Sequence, residues 1–227
     1  MKERPILFSQ AMVRALLEGR KTQTRRVVKP IGAHHLFQFR GNEAAHGADE
    51  PTGEWAWCRA EKVVSEHIRC PYGKPGDRLW VRESLKFVDT PTTRHDHAVY
   101  AADGVRVPRD QRLADWACDG MAFGFANSVP SIHMPRWASR ITLEVTGVRV
   151  ERLHSVSEAD AAEEGVEFVD AGRTYWKDYL GSSTNCDEMT FLSARQSFST
   201  LWNSINGAGA WAANPWVWVV EFKRIGA

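Results

Sequence analysis

The stretch Leu17–Arg26, LEGRKTQTRR, gathers one lysine, two threonines and three arginines just after a short apolar-periodic segment. Two chemistries suit that composition. A cluster of guanidiniums with an ammonium can clamp a polyanion through phosphate contacts. Alternatively, the lysine can serve as a base. A threonine hydroxyl is a poor nucleophile until a neighbouring base takes its proton, and lysine does so only when its pKa falls from about 10.4 toward neutrality. Neighbouring cations and desolvation both push that way, and Arg20, Arg25 and Arg26 are the cations the stretch itself supplies. In a regular strand Lys21 and Thr24 would face opposite sides. A turn at Lys21 to Thr22, eased by Gly19, would let them share one pocket.

The elements that must position these groups are legible around them. Ser9 can cap a helix in which Met12, Val13, Leu16 and Leu17 recur at helical spacing, and Gly19 stops it. TQTRRVVK then reads as an extended segment ending at Pro30, so the stretch lies at a helix-to-strand junction. Downstream, Pro75-Gly76-Asp77 is a turn leading into RLWVRESL, with Leu79 and Val81 expected on one face and Trp80 and Arg82 on the other. Trp80 there suits stacking on a base and Glu83 suits accepting from an exocyclic amine, whereas a buried Arg82–Glu83 pair or a cross-strand ion pair is the purely structural use. SIHMPRWASR, with His133, Arg136 and Trp137, suits a nucleotide rim or a loop packed on the core. RITLEVTGVRVERL carries the clearest β-pattern, with a bulge or turn allowed at Thr146-Gly147. In SVSEADAAEEGVEF, Ser157 and Asp160 form a capping-box start and Gly165 a stop. Glu164 then closes a helix against the negative end of its macrodipole, an unfavourable place that marks either function or a solvated, frayed end. Residues 188–204 read as a helix with Phe191, Leu192, Arg195, Phe198, Leu201 and Trp202 on one broad face, and PWVWVVEFKRI as a closing strand.

Composition narrows the function classes. With 227 residues, 43% of them hydrophobic, the chain can bury a core without crosslinks. Its 29 Lys and Arg against 28 Asp and Glu argue against affinity dominated by phosphate neutralisation, so any basic site must be local. The four cysteines form no CxxC pair, and no signal-like start or long apolar run is present. The expectation is a cytoplasmic protein with reduced thiols and no membrane partner. Cys58, His67 and Cys70, with distant His46, fit no common zinc spacing, so no metal is expected. Most of the ten tryptophans, including Trp202, Trp211, Trp216 and Trp218, are expected to build core.

Several stretches together resemble the ASCH domain family, PUA-like proteins associated with RNA. GRKTQTRR resembles its Gly-x-Lys-x-x-x-Arg signature at Gly19, Lys21 and Arg25, with Arg26 adjacent, while KPGDRLWV, SVSEADAAEEGV and VWVVEFK resemble its later elements. The resemblance implies an α+β fold, a PUA-like small β-barrel with flanking helices, as one domain over 1–227 with insertions at about 31–70, 88–135 and 166–187. It is similar both to the longer ASCH proteins of phages and prophages and to the family's N4-acetylcytidine amidohydrolases. The catalytic Lys, Thr and Glu of the latter fall on Lys21, Thr24 and Glu164, with Glu163 as the alternative one residue earlier. The implied activity is amide hydrolysis of an N4-acylated cytidine or a related modified nucleoside, without a cofactor. Arg25, Arg26, Trp80, Arg82, Glu83 and Arg136 are the substrate-binding candidates, and the partner would be a nucleoside or a short single-stranded RNA. A non-catalytic reader of RNA or modified bases, and an ASCH-type ribonuclease, are the alternatives.

Overall fold

Among the described residues strands dominate, and helices are few and short. The computed structural model describes residues 1–29, 35–38, 55–59, 62–63, 70–88, 97–108, 128–170, 172–181 and 189–226. Its early elements are β1 (Glu3–Leu7), α1 (Gln10–Leu17), β2 (Gln23–Val27), β3 (His35–Gln38), β4 (Trp55–Arg59) and β5 (Lys62–Val63). Next come β6 (Arg78–Arg82), β7 (Leu85–Val88), β8 (His97–Tyr100), β9 (Ser128–Val129) and β10 (Thr142–Arg152). The chain closes with α2 (Glu158–Glu163), β11 (Phe168–Asp170), β12 (Thr174–Lys177), β13 (Met189–Phe191), α3 (Ala194–Asn206) and β14 (Trp216–Ile225). The class is mixed α+β, and among the described residues no sheet closes into a barrel. The chain divides into two compact units, Met1–Lys21 with Gly76–Glu144 and Lys223–Ala227, and Thr22–Pro75 with Val145–Phe222.

In the first unit β1 runs parallel to β6, from Glu3 opposite Arg78 to Leu7 opposite Arg82, and the start of β10 pairs antiparallel with β6. Asp77 fixes the β6 turn by accepting from the Lys2 N–H at 2.8 Å and Arg4 Nη1 at 2.9 Å. Because β6 has a partner on each edge and cover on each face, Leu79, Trp80 and Val81 are all buried. The expected open face for Trp80 therefore does not exist. Ser9 caps α1 as its spacing predicts, accepting from the Met12 N–H at 3.4 Å, and Met12, Val13, Ala15 and Leu16 form the buried stripe. The 88–135 stretch contributes β8 and β9, which flank β7. Leu85, Phe87, Ala98, Tyr100, Val129 and Met134 make a core cluster there.

In the second unit β2 pairs antiparallel with β14, setting Gln23 opposite Glu221, Thr24 opposite Val220 and Arg25 opposite Val219. β10 runs through Thr146-Gly147 without a break. A Cβ at Gly147 would collide with the Glu221 carboxylate, so the glycine makes room for a neighbouring strand's side chain rather than for a turn. α2 has the full capping box, Ser157 with Asp160, and ends before Gly165, whose φ is +83°. α3 begins later than its apolar spacing suggests. Ser193 accepts from the Gln196 N–H at 3.2 Å, and Glu158 accepts from both the Ser193 hydroxyl and the Arg195 N–H, which fixes the start after β13. Phe191 thus belongs to a strand and Leu192 stays exposed, while Phe198, Leu201 and Trp202 supply the buried face. Trp202 and Trp218 are core residues, in keeping with the packing use expected of most tryptophans.

Candidate active site

The helix-to-strand junction is built by backbone hydrogen bonds. Arg20 and Lys21 both donate to the Ala15 carbonyl, at 2.9 and 3.1 Å, closing α1 as Gly19 takes φ +75°. Immediately afterwards the Thr22 N–H donates to the Glu163 carbonyl at 3.0 Å, and the Thr22 carbonyl accepts from Phe222 at 2.8 Å. The change of partner falls between Lys21 and Thr22, where the sequence calls for a turn. Lys21, Thr24 and Glu164 are 3%, 2% and 2% exposed. A lysine in a surface turn and a glutamate at a frayed helix end would be solvated, and neither is. Lys21 Nζ lies 5.5 Å from the centre of the Phe8 ring. Glu163 is exposed, so of the two glutamates Glu164 is the buried one.

Arg25 sits with its side chain fully buried, inside a set of carboxylates. Its Nη1 donates to Glu164 Oε1 at 3.0 Å, and its Nε and Nη2 donate to Glu151 Oε1 at 3.1 and 2.7 Å. Asp160 Oδ2 lies 3.5 Å from Nη2. The Phe198 ring lies 5.9 Å from the guanidinium carbon. Gln23, on the same face of β2, donates to Asp160 Oδ1 at 2.9 Å, and Arg149 on β10 reaches Glu151, Asp160 and Glu221. Alternation sends Thr24 to the opposite face of β2 from Gln23 and Arg25. Glu164 thus meets a side chain from the Arg25 face of β2, and the guanidinium offsets the helix-end position that is locally unfavourable for a carboxylate.

This arrangement changes the part expected of the arginines. Arg20 is paired with Glu18, its Nε 2.7 Å from Oε2, and Arg25 faces three carboxylates. Neither is an uncompensated cation, so of the two influences named for a lysine base, charge and burial, these arginines supply little of the first. With no exposed atoms in its side chain, Arg25 also has no surface to offer a phosphate. Asp160 is depressed to about 2: partial burial opposes ionisation, but hydrogen bonds from Gln23 and Ser157 and the Arg25 charge outweigh it. Arg26 is half-buried at the next position of β2.

The remaining candidates lie in the first unit. The Trp80 ring, 9% exposed, has the Arg82 guanidinium 4.9 Å and the Arg136 guanidinium 5.8 Å from its centre. Arg82 also donates to the Met134 carbonyl, and Arg136 grips Glu3 through Nε and Nη2 at 2.9 and 2.8 Å. Glu83 is 1% exposed and takes a two-pronged contact from Arg140, Nε to Oε1 and Nη2 to Oε2, both 2.9 Å. Arg140 is shared with Asp103 and stacks 3.8 Å from the Tyr100 ring centre. Burial pushes the Glu83 carboxyl above its usual range, against the hydrogen bonds and charge of Arg140. This is a buried ion pair of the structural kind, made with Arg140 rather than Arg82, and both of its residues lie just outside the strands, after β6 and before β10. His133 and Arg136 lie in short 3-10 turns, and Trp137 packs on the core cluster.

The structure thus brings Arg25 to Glu164, and Trp80 to Arg82 and Arg136, while Glu83 goes to Arg140. Sequence reasoning missed Gln23, Arg149, Glu151 and Arg140 and saw Asp160 only as a cap. The available signal was polar and charged residues at alternate positions of the two strands on either side of β14, Gln23 and Arg25 on β2 and Arg149 and Glu151 on β10. Among the described residues no cluster of His, Cys, Asp and Glu suits a metal. His46, His67 and the Cys58 side chain lie outside the described residues, and Cys70 is a half-buried thiol. Among the described residues no helix is long and apolar enough to cross a membrane. No protein-family model matches this chain, and no curated protein or solved structure does.

Proposed function

We propose that this chain is an ASCH-type, PUA-like amidohydrolase that removes the acyl group from an N4-acylated cytidine or a related modified nucleoside, using Lys21, Thr24 and Glu164. The observation that carries the reading is burial. Three polar side chains that a surface turn, an ordinary strand and a frayed helix end would leave in water are each at most 3% exposed. Burying such groups is costly unless they are paired and hydrogen-bonded, so a chain that buries all three is holding them in place.

Two routes are chemically complete. In one, Lys21 takes the Thr24 proton, Thr24 Oγ1 attacks the acyl carbonyl, the C–N4 bond breaks, and the cytosine amine leaves with a proton before water cleaves the acyl-threonine. In the other, Lys21 or Glu164 takes a proton from water, the resulting hydroxide attacks the carbonyl, and the proton passes to N4 as the C–N4 bond breaks, releasing the carboxylic acid and the cytidine. Thr24 then donates a hydrogen bond only. Base-read hydrogen bonds to the cytosine edge and stacking would supply selectivity.

The test is a panel of N4-acylated cytidines, deoxycytidines and short RNAs, with product release followed by chromatography for the wild-type chain and for Lys21→Ala, Thr24→Ala and Glu164→Ala. Wild type should release cytidine, and loss of a proton-transfer group should lower turnover by about 10²-fold or more. Thr24→Ser retaining activity while Thr24→Ala loses only a modest part of it would fit the water route. Unchanged turnover in Lys21→Ala, or RNA cleavage without deacylation, sinks the proposal.

A further inference from the structure

We infer that Arg25 is a positioning residue that fixes the Glu164 carboxylate for the hydrolysis, and that Glu151 in turn fixes Arg25. This rests on the reading of Glu164 given under Proposed function. The resemblance assigns Arg25 to substrate, but its geometry leaves nothing for substrate to reach. The side chain has no exposed atoms, and Nε, Nη1 and Nη2 all already donate to carboxylates.

The chain of contacts is directional. Arg149 Nε donates to Glu151 Oε2 at 3.2 Å, and Glu151 Oε1 receives both Nε and Nη2 of Arg25. That fork fixes the plane of the guanidinium and aims Nη1 at Glu164 Oε1. Asp160 adds a second carboxylate beside Nη2, and Phe198 lies beneath the planar group. The backbone is equally fixed: Arg25 pairs with Val219, which is fully buried, in the middle of the β2–β14 ladder. Glu164 is at the C-terminal cap of a six-residue helix, where its own element gives little restraint. Arg25 Nη1, held from the strand side, restrains Glu164 Oε1. Lysine would supply the charge but not the fork, so it could not reach Glu151 and Glu164 together.

The experiment measures kcat and KM on the best acylated cytidine for wild type, Glu164→Gln, Arg25→Lys, Arg25→Met, Glu151→Gln and the Arg25→Met/Glu164→Gln double variant, each checked by circular dichroism and thermal melting. Arg25→Met should lower kcat by about 10²-fold with KM within about twofold, as a misplaced catalytic group does. Arg25→Lys should recover only part of the loss. Glu151→Gln, which keeps shape but loosens the fork, should lower kcat by about tenfold, again with KM unmoved. In the Glu164→Gln background the Arg25 substitution should add nothing, because the group it orients is gone. If Arg25→Met fails to fold, Arg25→Lys and Glu151→Gln decide the matter by the same kcat-against-KM split. A rise in KM with kcat intact would return Arg25 to substrate binding, and multiplicative losses in the double variant would show that it acts independently of Glu164. Either result overturns the inference. An active wild type and a dead Glu164→Gln with full activity in the Arg25 and Glu151 variants removes this inference alone, whereas a wild type inactive on the whole panel removes the reading beneath it as well.

Discussion

Among the described residues, Arg25 with Glu164 and Arg140 with Glu83 form ion pairs whose carboxylates are buried. Removing one partner of a buried pair strands the other charge, at a cost of about 3–5 kcal/mol, whereas replacing both can be nearly neutral. Arg140→Met should therefore destabilise the protein by about that amount in a denaturant titration, and combining it with Glu83→Gln should recover most of the loss. Asp160 gives a pH prediction. Its folded-state pKa of about 2 lies below the ordinary carboxylate value. Its contribution is therefore fully present above the unfolded-state pKa, near 4, and is lost as pH falls through about 2. Unfolding free energies measured across that interval should fall less steeply for Asp160→Asn than for wild type. An equal slope in both would show that Asp160 carries no such linkage.

Short elements with strong local signals hold the candidate site. α2 spans only Glu158–Glu163, so its capping box is a large part of what defines it. Ser157→Ala should cost about 1 kcal/mol by chemical denaturation. Gly19 has open space around its α-carbon but a left-handed φ of +75°, so Gly19→Ala should cost about 1–2 kcal/mol through backbone conformation alone. If Gly19→Ala were neutral, the turn that delivers Lys21 would not depend on that conformation. The caps of α1 and α2 were legible because each is a contact between residues three apart. The start of α3 was not, because Glu158, from a different helix, helps to set it. β8 and β9 fall within the 88–135 stretch expected as an insertion, where strands of two to four residues are too short to show alternation.

For the whole molecule, balanced charge is the property with the clearest consequence. With a formal net charge of +1, turnover of a mononucleoside should change by less than about twofold between roughly 50 and 200 mM salt, while any RNA-binding mode would show a steep salt slope. A steep salt slope in RNA affinity with no turnover would favour the binding-module alternative. The sequence by itself determined the α+β class, the helix and strand flanking Lys21, the turn after Gly19 and the capped helix that carries Glu164. Each of these depends on neighbours within a few residues, through periodicity, caps and backbone freedom. Only the tertiary structure decided what the charged side chains face. Arg25 meets Glu151 and Glu164 from 126 and 139 positions away, and Arg140 meets Glu83 from 57. Trp80 looked half-open from alternation and is covered because its strand is central. A side chain's partner is set by which strands lie side by side, and local spacing carries no record of that pairing.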